Sequence, residues 1–471
     1  MLKRKIESLL QDWKNRPAHK PLVIKGVRQC GKTFSVLRFA RENYAHTVYI
    51  DFFEQPEAKV AFQGSKKVDD IVMNLSAIVP GATFVPAQTC LILDELQECP
   101  EARTALKYFK TDCRYDVICT GSLLGVSGYG STGKKEDKAK GTSVPVGYET
   151  IVEMNPLDFE EFLWANGITD QIIGKLRESL EAETPVPEAI HRRISDLFLQ
   201  YIVVGGMPEA VSRYVETRDL SQLSPVYSSL LTAYKDDVSK YASTTHEGDV
   251  IRHVIETAPK ESGNRITFEK FGNSGYRSVD VSTGMRKLER AMLLYLRYPV
   301  TKMELPANPD RKLKPRLQIL DSGLMNYSVG IHADYFRDIR LADVYRGILA
   351  EQMVWQEMLS QNHRELSVPP FWVREKKQSN AEVDFVYSEE GRMYPVEVKS
   401  GKDGTLRSLH QLIYQSDINL AIRLFDQQYS LLNAVTPSNL NMPGKEYRLL
   451  SLPFYCAGKI ADYIKIALGT F

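Results

Sequence analysis

The sequence predicts an α/β fold that begins with a P-loop NTPase domain, a parallel sheet with helices on both faces. Three observations lead to this prediction. Strand-like and helix-like segments alternate through the first 120 residues, a glycine-rich motif follows the first strand, and a later apolar strand ends in two carboxylates. Strands that alternate with helices form parallel sheets, because each crossover helix covers one face of the sheet.

Short apolar runs define the elements of this first domain. Strands are predicted at 22–24, 47–52, 90–93 and 116–119. Apolar residues at helical spacing predict a helix over 33–44, directly after the glycine-rich motif. A phosphate-binding loop requires this order, with a strand before the loop and a helix opening at its end.

The glycine-rich motif has the complete spacing of a Walker A loop. We predict that nucleotide is bound by its eight residues, Gly26, Val27, Arg28, Gln29, Cys30, Gly31, Lys32 and Thr33. Glycines let the backbone approach phosphate oxygens, and the N–H groups at the helix start supply positive charge. Lys32 is expected to reach the β- and γ-phosphates of ATP, and Thr33 to ligate Mg²⁺.

The apolar strand that ends in two carboxylates supplies the Walker B element. Asp94 and Glu95 follow the apolar run at its end. We expect Asp94 to contact Mg²⁺ through water and Glu95 to polarise the attacking water as general base. At the tip of the next strand, Ser122 has two interpretations that the sequence leaves open: it senses the γ-phosphate, or it forms a turn or helix cap.

Composition describes an ordinary globular protein and limits its partners only weakly. The 471 residues include 60 Lys and Arg against 59 Asp and Glu, so net charge neither suggests nor excludes nucleic acid. The six cysteines show no C-x-x-C pair, which favours buried thiols over disulfides. No apolar stretch approaches the roughly 18 residues of a membrane span, so we expect a cytoplasmic protein without a membrane partner.

The chain divides by pattern into three predicted parts. Residues 1–165 form the ATPase domain, 166–318 a helical and winged-helix region, and 319–471 a C-terminal α/β domain. Within the middle part, a winged-helix unit is predicted at about 245–318. The Gly-, Ser- and Lys-rich segment 126–145 is expected to be a surface loop, either simply solvated or touching nucleic acid.

Two helices have bounds that the pattern predicts more closely. A helix is expected to begin at Pro156, with the proline in its first turn and acids near its N-terminus. Another is predicted over 279–295, followed by a strand at 296–300. The basic run Arg311 to Arg316 after this strand is either a phosphate-backbone contact or a solvated charge cluster.

Three polar residues of a predicted hairpin form the centre of a candidate second site near the C-terminus. Asp384 lies on one strand of a predicted hairpin, and Glu397 and Lys399 share one face of the other, while Val396 and Val398 point into the core. This arrangement resembles the restriction-endonuclease-like fold, in which the carboxylates bind Mg²⁺ and the lysine orients water.

Two helical residues complete this candidate site. Glu351 matches the upstream helix acid of that fold, and Gln411 on the following helix is expected to support the site. A solvated hairpin with an exposed Glu397–Lys399 pair is the alternative, and a module of this fold that only binds DNA is another.

Taken together, the motifs resemble a known family. The strings PLVIKGVRQCGKT, LILDELQECP, ICTGSLLG, MNPLDFEEFL and VVGGMPEAV are similar, in order, to prokaryotic AAA-type ATPases with a C-terminal nuclease-like domain. The resemblance implies an ATPase of the additional-strand-glutamate class, consistent with Glu95. Relatives often carry an Arg after the glycine where this chain has Gly147-Tyr148. Candidates to replace that arginine are Arg28, Arg103 and Arg213.

These observations predict an ATP-binding and ATP-hydrolysing protein that uses Mg²⁺. We expect its nucleotide state to be coupled to a C-terminal domain that binds DNA or cleaves it with Mg²⁺. The alternative is an ATP-dependent regulatory switch, or a ring ATPase that acts on a protein or DNA partner without nuclease activity. A homo-oligomer is consistent with either, since such ATPases often complete the site with a neighbour's arginine.

Overall fold

The computed structural model describes residues 2–122, 147–330, 343–361, 368–374, 380–400, 405–438 and 443–469. The segment 126–145, predicted as a surface loop, lies outside these described residues. Within the described ranges, no helix is long and apolar enough to cross a membrane.

A five-stranded parallel sheet forms the core of the N-terminal part. Its strands are β1 (Leu22–Lys25), β2 (His46–Asp51), β3 (Thr89–Asp94), β4 (Asp116–Gly121) and β5 (Thr150–Glu153). They lie side by side in the order β2-β3-β4-β1-β5. Four of these strands were predicted, close to these bounds. The accompanying helices are α1 (Lys5–Asn15), α2 (Lys32–Asn43), α3 (Val68–Ile78) and α4 (Pro100–Asp112).

Helices cover both faces of this sheet, which confirms the fold predicted for the N-terminal domain. Ile24 and Ile92 belong to the core shared with α1 and α2, whereas Val23 and Leu93 belong to the core shared with α3 and α4. Strand β3 is buried at every residue, as expected for a central parallel strand covered on both sides. Strand β4 lies between β1 and β3 in this sheet.

The middle of the chain is mainly helical, as predicted. Its helices are α5 (Phe159–Ala165), α6 (Asp170–Glu181), α7 (Glu188–Val204), α8 (Pro208–Thr217), α9 (Leu223–Asp236), α10 (Val238–Tyr241), α11 (Thr245–Thr257), α12 (Ser278–Arg290) and α13 (Ser322–Ser328). The prediction that Pro156 lies in the first turn of α5 is wrong. Asp158 caps this helix, and a capping box between Asp158 and Glu161 fixes its start at Phe159.

Helix α12 is also shorter than the sequence predicts. It ends at Arg290, and Met292 takes a left-handed conformation (φ +62°) in the turn that follows. The buried strand β6 (Leu294–Arg297) then pairs antiparallel with β8 (Arg316–Ile319), and β7 (Pro299–Val300) lies between them in the chain. Two helices followed by an antiparallel pair are compatible with a winged-helix unit, which remains a prediction.

The C-terminal part is an α/β unit. Its elements are α14 (Asp343–Gln361), β9 (Phe371–Val373), β10 (Glu382–Val383), β11 (Phe385–Glu389), β12 (Arg392–Val398), α15 (Arg407–Gln415), β13 (Leu420–Phe425), β14 (Ser430–Val435), β15 (Glu446–Pro453) and α16 (Ile460–Leu468). The predicted hairpin is present as β11 and β12, with Gly391 at positive φ in its turn. A mixed sheet has the order β11-β12-β13-β15-β14.

A small second sheet connects the middle and C-terminal parts. Strand β7 pairs parallel with β9, and β9 pairs antiparallel with β10. The predicted boundary at 318/319 therefore separates segments whose strands share hydrogen bonds.

Helix α14 lies at the junction of the three parts. The Gln356 amide donates to the hydroxyl of Tyr201 (2.9 Å) and accepts from the backbone N–H of Ser322 (2.9 Å). The carboxylate of Glu357, 2% exposed, accepts from the backbone N–H of Phe159 at the start of α5 (2.9 Å). Buried polar side chains of one helix therefore satisfy backbone groups from the ATPase and middle parts.

Glu357 should make the stability of the protein depend on pH. Burial, and then the negative charge of Asp158, raise the pKa of Glu357 to about 8. The folded state therefore holds this proton more tightly than the unfolded chain, so its stabilising contribution is lost as pH rises through about 8. We expect Glu357→Gln to flatten part of the fall in melting temperature between pH 4.5 and about 8, the interval that separates the unfolded and folded pKa values of this carboxyl. Melting curves across this range test this, with exposed Glu178→Gln as the control.

Candidate nucleotide site and C-terminal carboxylate cluster

The phosphate-binding loop connects the end of β1 to the start of α2. Gly31, the residue before the helix, has φ +93°, a conformation that L side chains rarely adopt. The Lys32 ammonium is buried and donates to the carbonyl oxygens of Gly26 (3.0 Å) and Val27 (2.9 Å). The lysine thus lies across the loop, where its charge would meet phosphate oxygens.

Asp94 is the centre of a hydrogen-bonded group at the end of β3. One carboxylate oxygen accepts from Thr33 Oγ1 (2.6 Å) and from the Tyr49 hydroxyl (3.1 Å). The other accepts from the Thr120 hydroxyl at the end of β4 and from the backbone N–H of Glu95 (2.9 Å). A threonine hydroxyl beside a carboxylate is an oxygen donor set that suits Mg²⁺, so the residues present fit this ion.

Glu95 directly follows β3 in a left-handed backbone conformation (φ +50°, ψ +48°). For a non-glycine residue this conformation costs about 1–2 kcal/mol. Its carboxylate accepts a hydrogen bond from the Gln97 side chain. Other non-glycine residues of the described chain, among them Met292, share this conformation, so the role of Glu95 as general base remains a prediction.

The structure adds two residues to the predicted site. Thr120 contacts Asp94, whereas Ser122 lies two residues further along the chain, and its predicted role remains a prediction. Tyr49 on β2 contacts the same carboxylate, and burial followed by the negative charge of Asp94 raises the pKa of this phenol. The polar end of the ICTGS strand indicated a functional position near Thr120, but no sequence pattern pointed to Tyr49.

Two of the three candidate arginines are engaged within the chain. Arg28 pairs with Asp237, at the end of α9. Arg103 forms two hydrogen bonds to Glu149, at 2.6 and 3.1 Å. Arg213 lies exposed on α8.

Arg4, which the sequence analysis did not single out, connects the loop to the segment before α5. This buried residue donates to the carbonyl oxygens of Cys30 (2.9 Å) and Asn155 (2.8 Å). Its guanidinium also pairs with Glu161 (3.0 Å). The phosphate-binding loop is therefore tied to the same segment that α14 contacts.

The predicted residues of the C-terminal site lie close together, with the exception of Gln411. Glu397 on β12 pairs with Lys399 (2.7 Å) and is only 4% exposed, so this is not the exposed pair of the alternative interpretation. Asp384, between β10 and β11, accepts from the backbone N–H of Val398 (2.9 Å). Gln411 on α15 contacts Gln415 instead.

Arg316 joins two of the predicted metal ligands. Its Nη1 lies 2.8 Å from Glu351 and 3.2 Å from Asp384, while its Nη2 lies 3.0 Å from Glu382. Arg316 is buried, so the last residue of the basic run is neither solvated nor placed for a backbone phosphate. Both earlier interpretations of the basic run, a phosphate contact and a solvated cluster, are therefore wrong for Arg316, which pairs with acids inside the protein.

Two acids of this cluster, Glu351 and Glu397, hold their protons more tightly than free carboxyls do. Burial, and then the charge of Asp384, raise the pKa of Glu351 and that of Glu397. The carboxylate oxygens suit Mg²⁺, and Arg316 Nη1 stands in for a cation between two of them. No three His, Cys, Asp or Glu side chains of the described residues are arranged to hold a metal ion in this structure.

Comparison with known proteins agrees with the N-terminal geometry. Residues 18–163 match a family model described as an AAA domain. Residues 195–335 and 346–455 match two models described as domains of unknown function, DUF8612 and DUF4143. A search of curated proteins finds no match.

Several solved structures are similar to this chain. They include the Aeropyrum pernix ORC1 protein in complex with DNA (TM-score 0.26, 12% identity, 70% of this chain and 93% of that one). The Thermotoga maritima RuvB Holliday junction branch migration motor has a TM-score of 0.27, 13% identity, and coverage of 66% and 93%. AMPPCP-bound DnaA from Aquifex aeolicus has a TM-score of 0.26, 12% identity, and coverage of 60% and 85%. At these TM-scores the similarities support no inference about function.

The family match and the geometry point to the same chemistry. A loop with Lys32 at its end and a carboxylate at the end of β3 are the parts of a nucleotide-hydrolysing site. Residues 18–163 therefore match an AAA domain, and their P-loop geometry supports ATP binding and hydrolysis.

Proposed function

We propose that ATP binding and hydrolysis in the N-terminal domain control a C-terminal domain that binds DNA and cleaves it with Mg²⁺. The observation that supports this coupling is the course of α14. Glu351, on this helix, belongs to the C-terminal carboxylate cluster. Glu357, less than two turns later, holds the backbone of Phe159 in the segment that Arg4 ties to the phosphate-binding loop.

A second set of contacts runs beside this one. The hydroxyl of Tyr201 donates to the carbonyl oxygen of Leu157 (2.7 Å) and accepts from Gln356 on α14. The backbone N–H of Leu157 donates to the carbonyl oxygen of Gly206 (2.7 Å). A shift of the 155–159 segment when nucleotide binds would therefore reach α14 through packed, hydrogen-bonded groups.

In the ATPase domain, each proposed role follows from position. Lys32 would exchange its carbonyl partners for the β- and γ-phosphates, and Glu95 would take the proton of the attacking water. Thr33 and Asp94 would hold Mg²⁺, which when bound neutralises charge on the phosphate oxygens. Thr120 and Tyr49 orient Asp94 through hydrogen bonds to its two oxygens.

In the C-terminal domain, the proposed chemistry is phosphodiester hydrolysis. Asp384, Glu397 and Glu351 would hold Mg²⁺, which when bound activates water and stabilises the phosphorane charge. Lys399, paired with Glu397, would orient the attacking water. The buried Oε2 of Glu397 accepts no hydrogen bond within the described residues, which leaves one acceptor available for a cation.

One observation favours the second candidate, a nucleotide-dependent switch that acts on a DNA or protein partner without cleaving it. Arg316 offsets part of the negative charge of Glu351 and Asp384, which stabilises the cluster without a metal. In this case the C-terminal domain would bind its partner, and ATP would control that binding. Assembly of several copies, with an arginine supplied by a neighbour, is compatible with both candidates.

Metal-dependent cleavage of plasmid and single-stranded DNA, with and without ATP, tests the proposal. We expect the wild type to cleave, Asp384→Ala to lose cleavage, and Lys32→Ala to lose its dependence on ATP. The matched control is Asp426→Ala, an exposed acid of the same domain. Intact ATP hydrolysis with no cleavage under any condition would refute the nuclease and leave the switch.

A further inference from the structure

We propose that Arg316 is an internal cation that competes with a divalent metal ion for Glu351 and Asp384, so that metal binding requires this arginine to leave. The inference rests on the proposed function, since it concerns the same carboxylates. It makes the C-terminal site a regulated one, with a resting state closed by the protein itself.

The first argument is the position of the guanidinium. Nη1 lies 2.8 Å from a Glu351 oxygen and 3.2 Å from an Asp384 oxygen. These are oxygens that a metal ion would need, and a nitrogen at hydrogen-bonding distance occupies the space between them. A divalent ion placed beside a buried guanidinium would also be repelled by its charge.

The second argument is that Arg316 has a partner to which it can remain attached. Its Nη2 pairs with Glu382 (3.0 Å), which is not among the predicted metal ligands. The face of the Phe371 ring lies 5.1 Å from the guanidinium carbon. The Nη1 atom of Arg316 can therefore move away from Glu351 and Asp384 while Glu382 and the Phe371 ring continue to stabilise the positive charge of the guanidinium.

The neighbouring Arg297 differs from Arg316 in the groups that its guanidinium contacts. Arg297 is fully buried and donates to the backbone carbonyl oxygens of Pro369 (2.9 Å) and Asp384 (2.6 Å). Its guanidinium lies 3.9 Å from the Phe385 ring centroid. Arg297 contacts main chain that a metal would leave in place, whereas the Nη1 contacts of Arg316 are to metal-binding oxygens.

The link to ATP comes from the helix that carries Glu351. Because α14 also holds Phe159 through Glu357, a displacement of α14 would change the distance between Glu351 and Arg316. Arg316 itself is on β8, which pairs with β6 of the middle part. The arginine and its acid partner thus belong to different elements, and only a change in the contact between α14 and β8, which Gln352 holds through the carbonyl oxygen of Ile319 (2.7 Å), would separate them.

Mn²⁺ binding to the full-length, nucleotide-free protein tests this inference, measured by electron paramagnetic resonance and by the shift in melting temperature. We expect Arg316→Gln to bind Mn²⁺ about tenfold more tightly than wild type, a size typical of coupled binding events. Its melting temperature should fall without metal and recover with Mn²⁺, because the metal restores the lost positive charge. Arg265→Gln is the matched control, since Arg265 pairs with Glu382 (2.8 Å) on the other oxygen.

Two further variants keep the result interpretable. Asp384→Asn defines the C-terminal share of the binding, because Mn²⁺ that it retains belongs to other sites. Arg316→Lys keeps the positive charge but lacks the two-pronged guanidinium, and it should bind Mn²⁺ with intermediate affinity. This variant replaces Arg316→Gln in the test if Arg316→Gln does not fold. Equal Mn²⁺ affinity in wild type and the Arg316 variants would overturn the inference, as would no binding in any of them. Tighter binding without DNA cleavage would support the inference while refuting the nuclease.

Discussion

Glu95→Gln is expected to lower the rate of ATP hydrolysis by about 10²–10⁴-fold while ATP binding persists. Glutamine has nearly the same shape and still accepts the hydrogen bond from Gln97, but it cannot take a proton from water. Glu95 is not needed to hold the phosphates, which are expected to meet Lys32 and the backbone of the loop. Steady-state phosphate release and equilibrium binding of a fluorescent ATP analogue measure the two effects separately.

A nearby acid provides the control for this result. Glu98 lies in the same turn and pairs loosely with Lys59, at 3.6 Å. Glu98→Gln should therefore leave hydrolysis close to the wild-type rate. If Glu95→Gln hydrolyses ATP as fast as Glu98→Gln does, another group is the general base.

Gly206→Ala is expected to be strongly destabilising. A Cβ at this position would lie 2.1 Å from the carbonyl oxygen of Leu157, and the backbone cannot yield without breaking the bonds that hold it. The Leu157 N–H donates to Gly206, and the Leu157 oxygen accepts from Tyr201. Overpacking of this kind costs about 1–3 kcal/mol or more. Urea denaturation of the variant and the wild type measures the loss in the free energy of unfolding.

The opposite result is expected for another glycine. Gly174 lies in α6, and a Cβ there would meet nothing within 4 Å. Gly174→Ala should raise stability by about 0.5–1 kcal/mol, because alanine favours the helix. A Gly206→Ala variant as stable as the wild type would show that the contact between Gly206 and Leu157 is not a tight one in solution.

The parts of the site that the sequence predicts are those encoded by neighbouring residues. Walker A lies within eight consecutive positions, and the strand before it and the helix after it both formed as expected. Asp94 and Glu95 follow a run of apolar residues that can only be a buried strand. The hairpin of β11 and β12 was equally local, since alternation and one glycine specify it.

What the sequence could not predict depends on contacts between distant segments. Arg316 read as one of several charges in a basic run, yet it is buried because acids from α14 and the β10–β11 segment surround it. Arg4 and Tyr49 carry no local signal for the same reason. The start of α5 was also missed, because Asp158 caps the helix at Phe159 and this cap outweighs the tendency of Pro156 to occupy a first turn.

The pairing of β7 with β9 bears on how such a protein can change in evolution. Val300 on β7 is paired with Trp372 on β9, so two segments some seventy residues apart in the chain form one small sheet. A recombination point between them would deliver half a sheet to each product and leave backbone groups of both halves unpaired. The middle and C-terminal parts are therefore expected to be inherited together, even where family models draw a border between them.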